Sequence, residues 1–70
     1  MDKELHPAVT HVLQYFTYEH LQNEFLRNIS KAFANLAHDL VELRELNGPE
    51  LTVALRKLLE AKDAAVRAAL

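Results

Sequence analysis

The 70-residue sequence contains no cysteine, no tryptophan, one glycine and two prolines. Without cysteine, neither a disulfide nor a thiolate metal site can stabilise the fold. Glycine and proline are scarce and half of the residues are hydrophobic, which argues against an intrinsically disordered chain. Leucine and alanine dominate the apolar residues, and both favour helices. The composition therefore predicts an all-α protein with a single domain over residues 1–70.

Two further absences narrow the class of protein. The formal net charge of −2 gives no positive field of the kind that long nucleic acids attract. No apolar run approaches the roughly 18 residues of a membrane span, and no signal peptide opens the chain. We therefore expect a cytoplasmic protein. Because so short a chain rarely buries enough apolar surface to be stable alone, we also expect it to oligomerise.

The periodicity of the apolar residues predicts a short N-terminal helix followed by a long antiparallel helical hairpin. Pro7 suits the first turn of a helix, and a bend is expected near Thr17. The tetrapeptide NGPE ends the long helix and is too short to let the next helix run in any direction but antiparallel. The expected ranges are 1–6 for a loose N-terminus, 7–16 for the short helix, 19–46 for the long helix and 49–69 for the C-terminal helix.

On the long helix, large apolar residues recur at spacings of three and four, and we expect this stripe to face the last helix. Ala37 and Val41, which flank it, are then left for contacts between subunits. The stripe consists of Phe25/Leu26, Ile29, Phe33, Leu36, Leu40 and Leu43.

The apolar stripe of the last helix carries an ammonium group, Lys62, near its centre. A buried, unpaired ammonium costs several kcal/mol, so a partner is required. The favoured interpretation is structural: the stem packs along the seam and the amine pairs with an acid such as Asp39, or Asp2 of a neighbouring subunit. The alternative is an anionic ligand held between subunits. The stripe consists of Leu51, Leu55, Leu58, Leu59, Ala65, Val66 and Ala69.

A second stripe of the last helix is charged, with alternating sign. Most such stripes are solvated faces with weak helical ion pairs, although the alternation could equally join one subunit to another. Together with Lys62, Asp63 and Glu60 are therefore candidates for assembly. The stripe consists of Arg56, Glu60, Asp63 and Arg67.

On the long helix, Lys31 shares with Arg27 and His38 the face opposite the apolar stripe. Tyr15 and Tyr18 lie just upstream, at the bend. Aromatic rings beside cations can bind a nucleobase and its phosphate, because the ring stacks and the cation neutralises. The four histidines lack the spacing of a zinc-binding helix, and no nucleophile–base pattern or phosphate loop is present. We therefore expect no metal, no cofactor, no catalytic residue and no enzymatic activity.

The combination F-T-Y-E-H-L, I-S-K-A-F and G-P-E-L-T-V-A-L-R-K-L-L-E-A-K-D-A-A-V-R resembles a family of small phage proteins. These are the anti-CBASS cyclic-oligonucleotide sponges, whose helical hairpin domain is shared with certain anti-Thoeris sponges. The resemblance extends from about His6 to Arg67. It implies a hexameric protein that acts in the infected bacterial host. There it would sequester cyclic di- and trinucleotide messengers of immunity without degrading them.

The resemblance also implies roles for particular residues. The base-stacking tyrosine of the family falls on Tyr15, and its phosphate-contacting lysine falls on Lys31. Because the segment HLQNEFLRNIS is one residue longer here, and one residue rotates a helix by about 100°, Tyr18 is the alternative stacking ring. The arginine used for trinucleotides corresponds to Arg56 or Arg67, with Arg67 favoured. Lys62 remains structural, at a junction between subunits.

A different class of function stays open on the sequence alone. An antiparallel helical adaptor could dock an exposed stripe on a partner helix and bind no small molecule. Its sensitive face would be the charged stripe of the last helix.

Overall fold

The computed structural model describes residues 5–18, 21 and 23–70, so residues 1–4 of the expected loose N-terminus lie outside the described part. Over this part the prediction of an all-α protein is confirmed. None of its helices is both long enough and apolar enough to span a bilayer. The third helix is central, because it packs against both of the others. The helices are α1 (Pro7–Leu13), α2 (Glu24–Glu42) and α3 (Pro49–Ala69).

The first helix begins at Pro7, as the sequence predicts, but ends at Leu13 rather than at Phe16. The amides of Tyr15 and Phe16 donate to carbonyls three residues earlier, at 3.1 and 3.0 Å. Such bonds tighten the chain into a turn that an α-helix cannot continue. The turn places Phe16 in the core with 3% of its surface exposed. Thr17, where a bend was expected, follows in non-helical chain.

The start of α2 is set by a side-chain cap. The Asn23 Oδ1 accepts hydrogen bonds from the amides of Phe25 and Leu26, at 2.8 and 3.2 Å. These two amides have no acceptor inside the helix, so the cap stabilises a start at Glu24. Glu19, the expected first residue of this helix, lies outside the described residues, but the expected start is too early, because Leu21 and Asn23 are described and are not helical.

The end of α2 lies at Glu42, four residues before the expected end at Leu46. Leu43 is extended, with φ −76° and ψ 115°, and this conformation breaks the helical hydrogen bonding. The Asn47 side chain then donates to the carbonyl three residues earlier, at 3.3 Å. Gly48 has a φ of 82°, a conformation that glycine adopts without a steric penalty. The NGPE segment therefore ends the link between α2 and α3. It does not end α2, which stops at Glu42.

Replacing the capping residue should lower stability measurably. For Asn23→Ala we expect the free energy of unfolding to fall by about 1 kcal/mol, because two amides lose their acceptor. Urea denaturation followed by circular dichroism measures the change. Asn28→Ala is the matched control, since Asn28 lies exposed inside the same helix and alanine is the better helix former there. Equal stability of the two variants would contradict the assignment of the cap.

The face of α2 that becomes buried is not the expected stripe of large residues. Leu36, Leu43 and Phe25 of that stripe keep 47%, 49% and 62% of their surface exposed. The buried face lies one residue further along, a rotation of about 100°. Its small side chains let the helix backbone approach α3 closely, and the leucines of α3 fill the space beside them. The buried residues of α2 are Ser30, Ala34, Ala37 and Val41.

The third helix runs over the residues at which the sequence predicts it, and the side chains of its expected stripe point inward. Leu55 is fully buried and Leu51 is 6% exposed, while the later members of the stripe, from Leu58 onward, are half-buried. The core joins all three helices and the turn after α1. It consists of Val9, Val12, Phe16, Ala34, Ala37, Val41, Leu51 and Leu55.

Candidate functional site

Lys62 reaches from α3 to the turn that follows α1. Its Nζ donates a hydrogen bond to the backbone carbonyl of Tyr15 at 2.8 Å. The same nitrogen lies 3.7 Å from an oxygen of Asp63 and 6.0 Å from the ring centroid of Phe16. Only 13% of the Lys62 side chain is exposed, so its apolar stem is largely covered while the ammonium binds at the surface of the turn.

The acceptor differs from the carboxylates that the sequence suggests. Asp39 was one candidate, whereas the acceptor found is a main-chain carbonyl. The other candidate, Asp2 of a neighbouring subunit, lies outside the described residues. The bond links positions 47 residues apart. Lys62 therefore fastens the turn that carries Tyr15 to the central helix, and a role at a subunit junction stays a prediction.

Removing this ammonium should weaken the fold. For Lys62→Met we expect a loss of about 1–2 kcal/mol, because the carbonyl of Tyr15 loses a charged donor while the apolar stem is retained. The measurement is urea denaturation. Lys57→Met is the control, since Lys57 lies exposed on the same helix. Unchanged or higher stability for Lys62→Met would mean that the charge is only tolerated.

The Tyr15 ring stands at the surface of this turn, with half of the residue exposed. It meets the His11 ring edge-on, with centroids 5.6 Å apart and planes at 82°. The His11 Nδ1 in turn lies 2.9 Å from the side-chain nitrogen of Gln14. With its backbone fixed by Lys62 and its ring contacting His11, Tyr15 keeps exposed aromatic surface on which a planar ligand could stack.

Lys31 lies near the alternative tyrosine. Its Nζ is 6.0 Å from the ring centroid of Tyr18, at the outer limit of a cation–π contact. Lys31 is exposed, whereas Tyr18 is half-buried and packs against the core. The structure therefore joins the expected lysine with Tyr18, while the ring of Tyr15 contacts a histidine.

Arg67 and Lys62 share a shallow cavity beside this turn. Both are cations, and the cavity also contains two hydroxyl groups that can donate to a phosphate oxygen. Asp63 contributes the opposing charge. The volume is about 270 Å³, and the lining residues are Thr17, Leu21, Ser30, Lys62, Asp63, Val66 and Arg67.

Arg56 lines a different and larger cavity, at the link between α2 and α3. Its volume is about 520 Å³, and most of its lining is apolar, with Val9, Leu51 and Val53 among the residues. The two arginines left open by the sequence are thus separated. Glu60 lies exposed on α3 between them.

Several contributors to the site carry no signal in the sequence. Thr17 and Leu21 join it because the chain bends after α1, and the carbonyl of Tyr15 is a backbone group. Ser30 is 2% exposed and lines the cavity of Lys62, although a serine inside a helix more often bonds to a carbonyl of its own helix. The one usable signal was the ammonium in an apolar stripe, which required an acceptor nearby.

Within residues 5–18, 21 and 23–70, no three His, Asp or Glu side chains converge in a way that could hold a metal ion. Comparison of the chain with protein-family models, with curated proteins and with solved structures gives no match.

Proposed function

We propose that this protein is a phage anti-defence sponge. It binds cyclic di- and trinucleotide messengers of bacterial immunity in the cytoplasm of the infected host and withholds them from their effectors. The messengers are not degraded. The proposal starts from the resemblance of the sequence to the anti-CBASS sponges.

The observation that carries it is the grouping of rings and cations around the turn after α1. Exposed Tyr15 offers an aromatic surface, and Lys31 lies beside the second ring, that of Tyr18. Stacking of a base on an aromatic ring contributes about 1–3 kcal/mol, and a lysine adds a charge-assisted bond to phosphate. A cyclic dinucleotide presents two bases and two phosphates, so it matches both kinds of group.

The cavity beside the turn suits an additional phosphate. Arg67 and Lys62 line it together with Ser30, whereas Arg56 lines the mostly apolar cavity at the link between α2 and α3. This separation favours Arg67 as the arginine that contacts a cyclic trinucleotide. Lys62 then has two roles. It contacts the phosphate, and its hydrogen bond to the carbonyl of Tyr15 holds the turn in place.

The proposal includes an assembly. In it α2 and α3, which pack against each other, form the antiparallel hairpin of the sponge family, and six copies join as a hexamer. Dinucleotide pockets then lie between protomers, where an exposed ring such as that of Tyr15 can be covered by a neighbour. Burial of the ligand between protomers slows its release, and slow release is what sequestration requires.

One observation favours the second candidate, a helical adaptor without a small-molecule ligand. The face expected for such an adaptor is the charged stripe of α3, whereas the exposed large apolar side chains of α2 include Leu36 and Leu43, with about half of their surface exposed. A helix of a partner protein could cover these leucines. In that case the protein would bind neither class of cyclic nucleotide.

Isothermal titration of the purified protein with 3′,3′-cyclic GMP-AMP tests the proposal. A saturable heat is expected with the cyclic compound and a much weaker one with its linear, opened form, which presents the same bases in a less preorganised shape. Cyclic tri-adenylate is titrated separately. Absence of binding to both cyclic compounds would contradict the sponge and favour the adaptor.

A further inference from the structure

The cavity that Arg56 lines is formed where three parts of the chain meet. It is bordered by the chain at the start of α1, by the link after α2 and by the first two turns of α3. Its volume of about 520 Å³ lies within the range of about 300–1,000 Å³ that is usual for small-molecule sites. The turn that carries Tyr15 does not border it. We call it the Arg56 cavity.

We propose that the Arg56 cavity binds a medium-chain fatty acid, which is a monocarboxylate with an unbranched aliphatic chain. The carboxylate pairs with the guanidinium of Arg56, and the aliphatic chain occupies the apolar part of the cavity. This site uses neither the rings nor the lysine near the turn after α1, so it goes beyond the proposed function and does not depend on it.

The charge of the lining favours an anion. Among the described residues that line the cavity, Arg56 is the only one that is always charged, and none is an aspartate or a glutamate. Arg56 is exposed, and a guanidinium can donate two parallel hydrogen bonds to one carboxylate. A single cation matches a monoanion better than a cyclic nucleotide, which carries two or three negative charges.

His6 adds a hydrogen-bond donor, because the cap of α1 determines where its ring carries a proton. The His6 Nδ1 accepts a hydrogen bond from the amide of Ala8 at 3.0 Å, so this nitrogen has no proton. The proton of the ring then lies on Nε2, which is a donor. Thr52 contributes a hydroxyl to the same lining. Donors beside a guanidinium favour a group that only accepts hydrogen bonds, such as a carboxylate.

The rest of the lining favours an aliphatic body for the ligand. Val9 and Leu51 are buried, whereas Val53 keeps 40% of its surface exposed. An alkyl chain in the cavity would cover Val53 and remove apolar surface from water. The described lining residues include no phenylalanine or tyrosine, so the cavity lacks the rings on which a nucleobase stacks.

Isothermal titration with octanoate and with 1-octanol tests the proposal on the unmodified protein. The two compounds have the same chain length, but only octanoate carries a charge. We expect a saturable heat with octanoate and an affinity for 1-octanol that is lower by about 10-fold or more, because the alcohol cannot form the charged pair with Arg56. Absence of octanoate binding, or equal affinities for the two compounds, would overturn the proposal.

A pair of variants locates the site. Arg56→Met keeps an apolar stem and removes the guanidinium, so it should weaken octanoate binding by about 10-fold or more and leave 1-octanol binding unchanged. Lys57→Met is the matched control, because Lys57 is exposed at the next position and does not line the cavity. Circular dichroism verifies that both variants are folded. An octanoate affinity that is the same in Arg56→Met as in Lys57→Met would contradict the site.

Competition separates this inference from the proposed function. Octanoate is titrated into protein that already contains excess 3′,3′-cyclic GMP-AMP, and we expect its affinity to be unchanged. Displacement of octanoate by the nucleotide would assign the cavity to the nucleotide and overturn the inference. A protein that binds octanoate but no cyclic nucleotide would refute only the sponge, and the reverse result would refute only the Arg56 cavity as a fatty-acid site.

Discussion

Lys31→Ala is expected to weaken the binding of 3′,3′-cyclic GMP-AMP by about 10- to 100-fold, because a charge-assisted hydrogen bond to phosphate is lost. Lys31 is exposed on α2, with its Nζ over the ring of Tyr18 at 6.0 Å from the centroid, so its removal leaves the core intact. Isothermal titration gives the affinity. Lys57→Ala is the matched control, an exposed lysine on α3 that removes the same charge away from the turn. Equal affinities for the two variants would place the ligand elsewhere.

Isothermal titration also distinguishes the roles of Tyr15 and Tyr18 in stacking. Tyr15→Ala removes an exposed ring but not the backbone carbonyl to which Lys62 donates, so the turn is retained. Tyr18→Ala also removes packing against the core, and Tyr18→Leu is the better probe of its stacking. If Tyr15 is the stacking ring, only its substitution lowers affinity by about 10-fold or more. The opposite result would transfer that role to Tyr18.

Ala37→Leu is expected to lower the free energy of unfolding by about 1–3 kcal/mol, because a larger side chain cannot enter the contact between α2 and α3 without displacing one helix. Ala37 is fully buried and lies near the middle of the small-residue face. Thermal or urea denaturation measures the loss. A loss of this size would show that the small-residue face of α2, rather than its stripe of large residues, packs on α3.

Ala32→Leu is the control for that experiment. Ala32 is exposed on the same helix, and leucine is nearly as good a helix former as alanine. Its stability should therefore stay close to that of the wild type. If Ala37→Leu were equally harmless, α2 would have to pack on α3 through a different face.

The wrong prediction of the buried face of α2 shows what the periodicity of apolar residues can and cannot decide. Two stripes with the same spacing lie one residue apart on this helix. One passes through Ile29 and the other through Ser30. Hydrophobicity favours the first, because its side chains are large. Close packing against the leucines of α3 favours the second, because Ala34 and Ala37 leave room for them. Only the three-dimensional fit distinguishes the two, whereas the single stripe of α3 left no such choice.

The candidate site, like the packing of the helices, could be predicted only in part from the sequence. Lys62 was expected to need a partner on the basis of its place in an apolar stripe, and the structure supplies one. The partner is the backbone carbonyl of Tyr15. Every residue has such a carbonyl, so the sequence does not indicate which one accepts the bond. The pairing of Lys31 with Tyr18 depends on where the chain leaves α1 and where Asn23 starts α2. A shift of one residue at either point would change which ring the lysine approaches.

The proposed sponge captures its ligand without converting it, and recovery of the bound ligand distinguishes capture from catalysis. Excess protein is incubated with 3′,3′-cyclic GMP-AMP, the free ligand is separated by ultrafiltration, and the bound ligand is released by heat and analysed by chromatography. If the protein sequesters the messenger, the free ligand disappears and all of it returns unaltered after heating. Ligand that stays free throughout would rule out capture, and ligand that returns as a linear or otherwise altered nucleotide would show that the protein converts it.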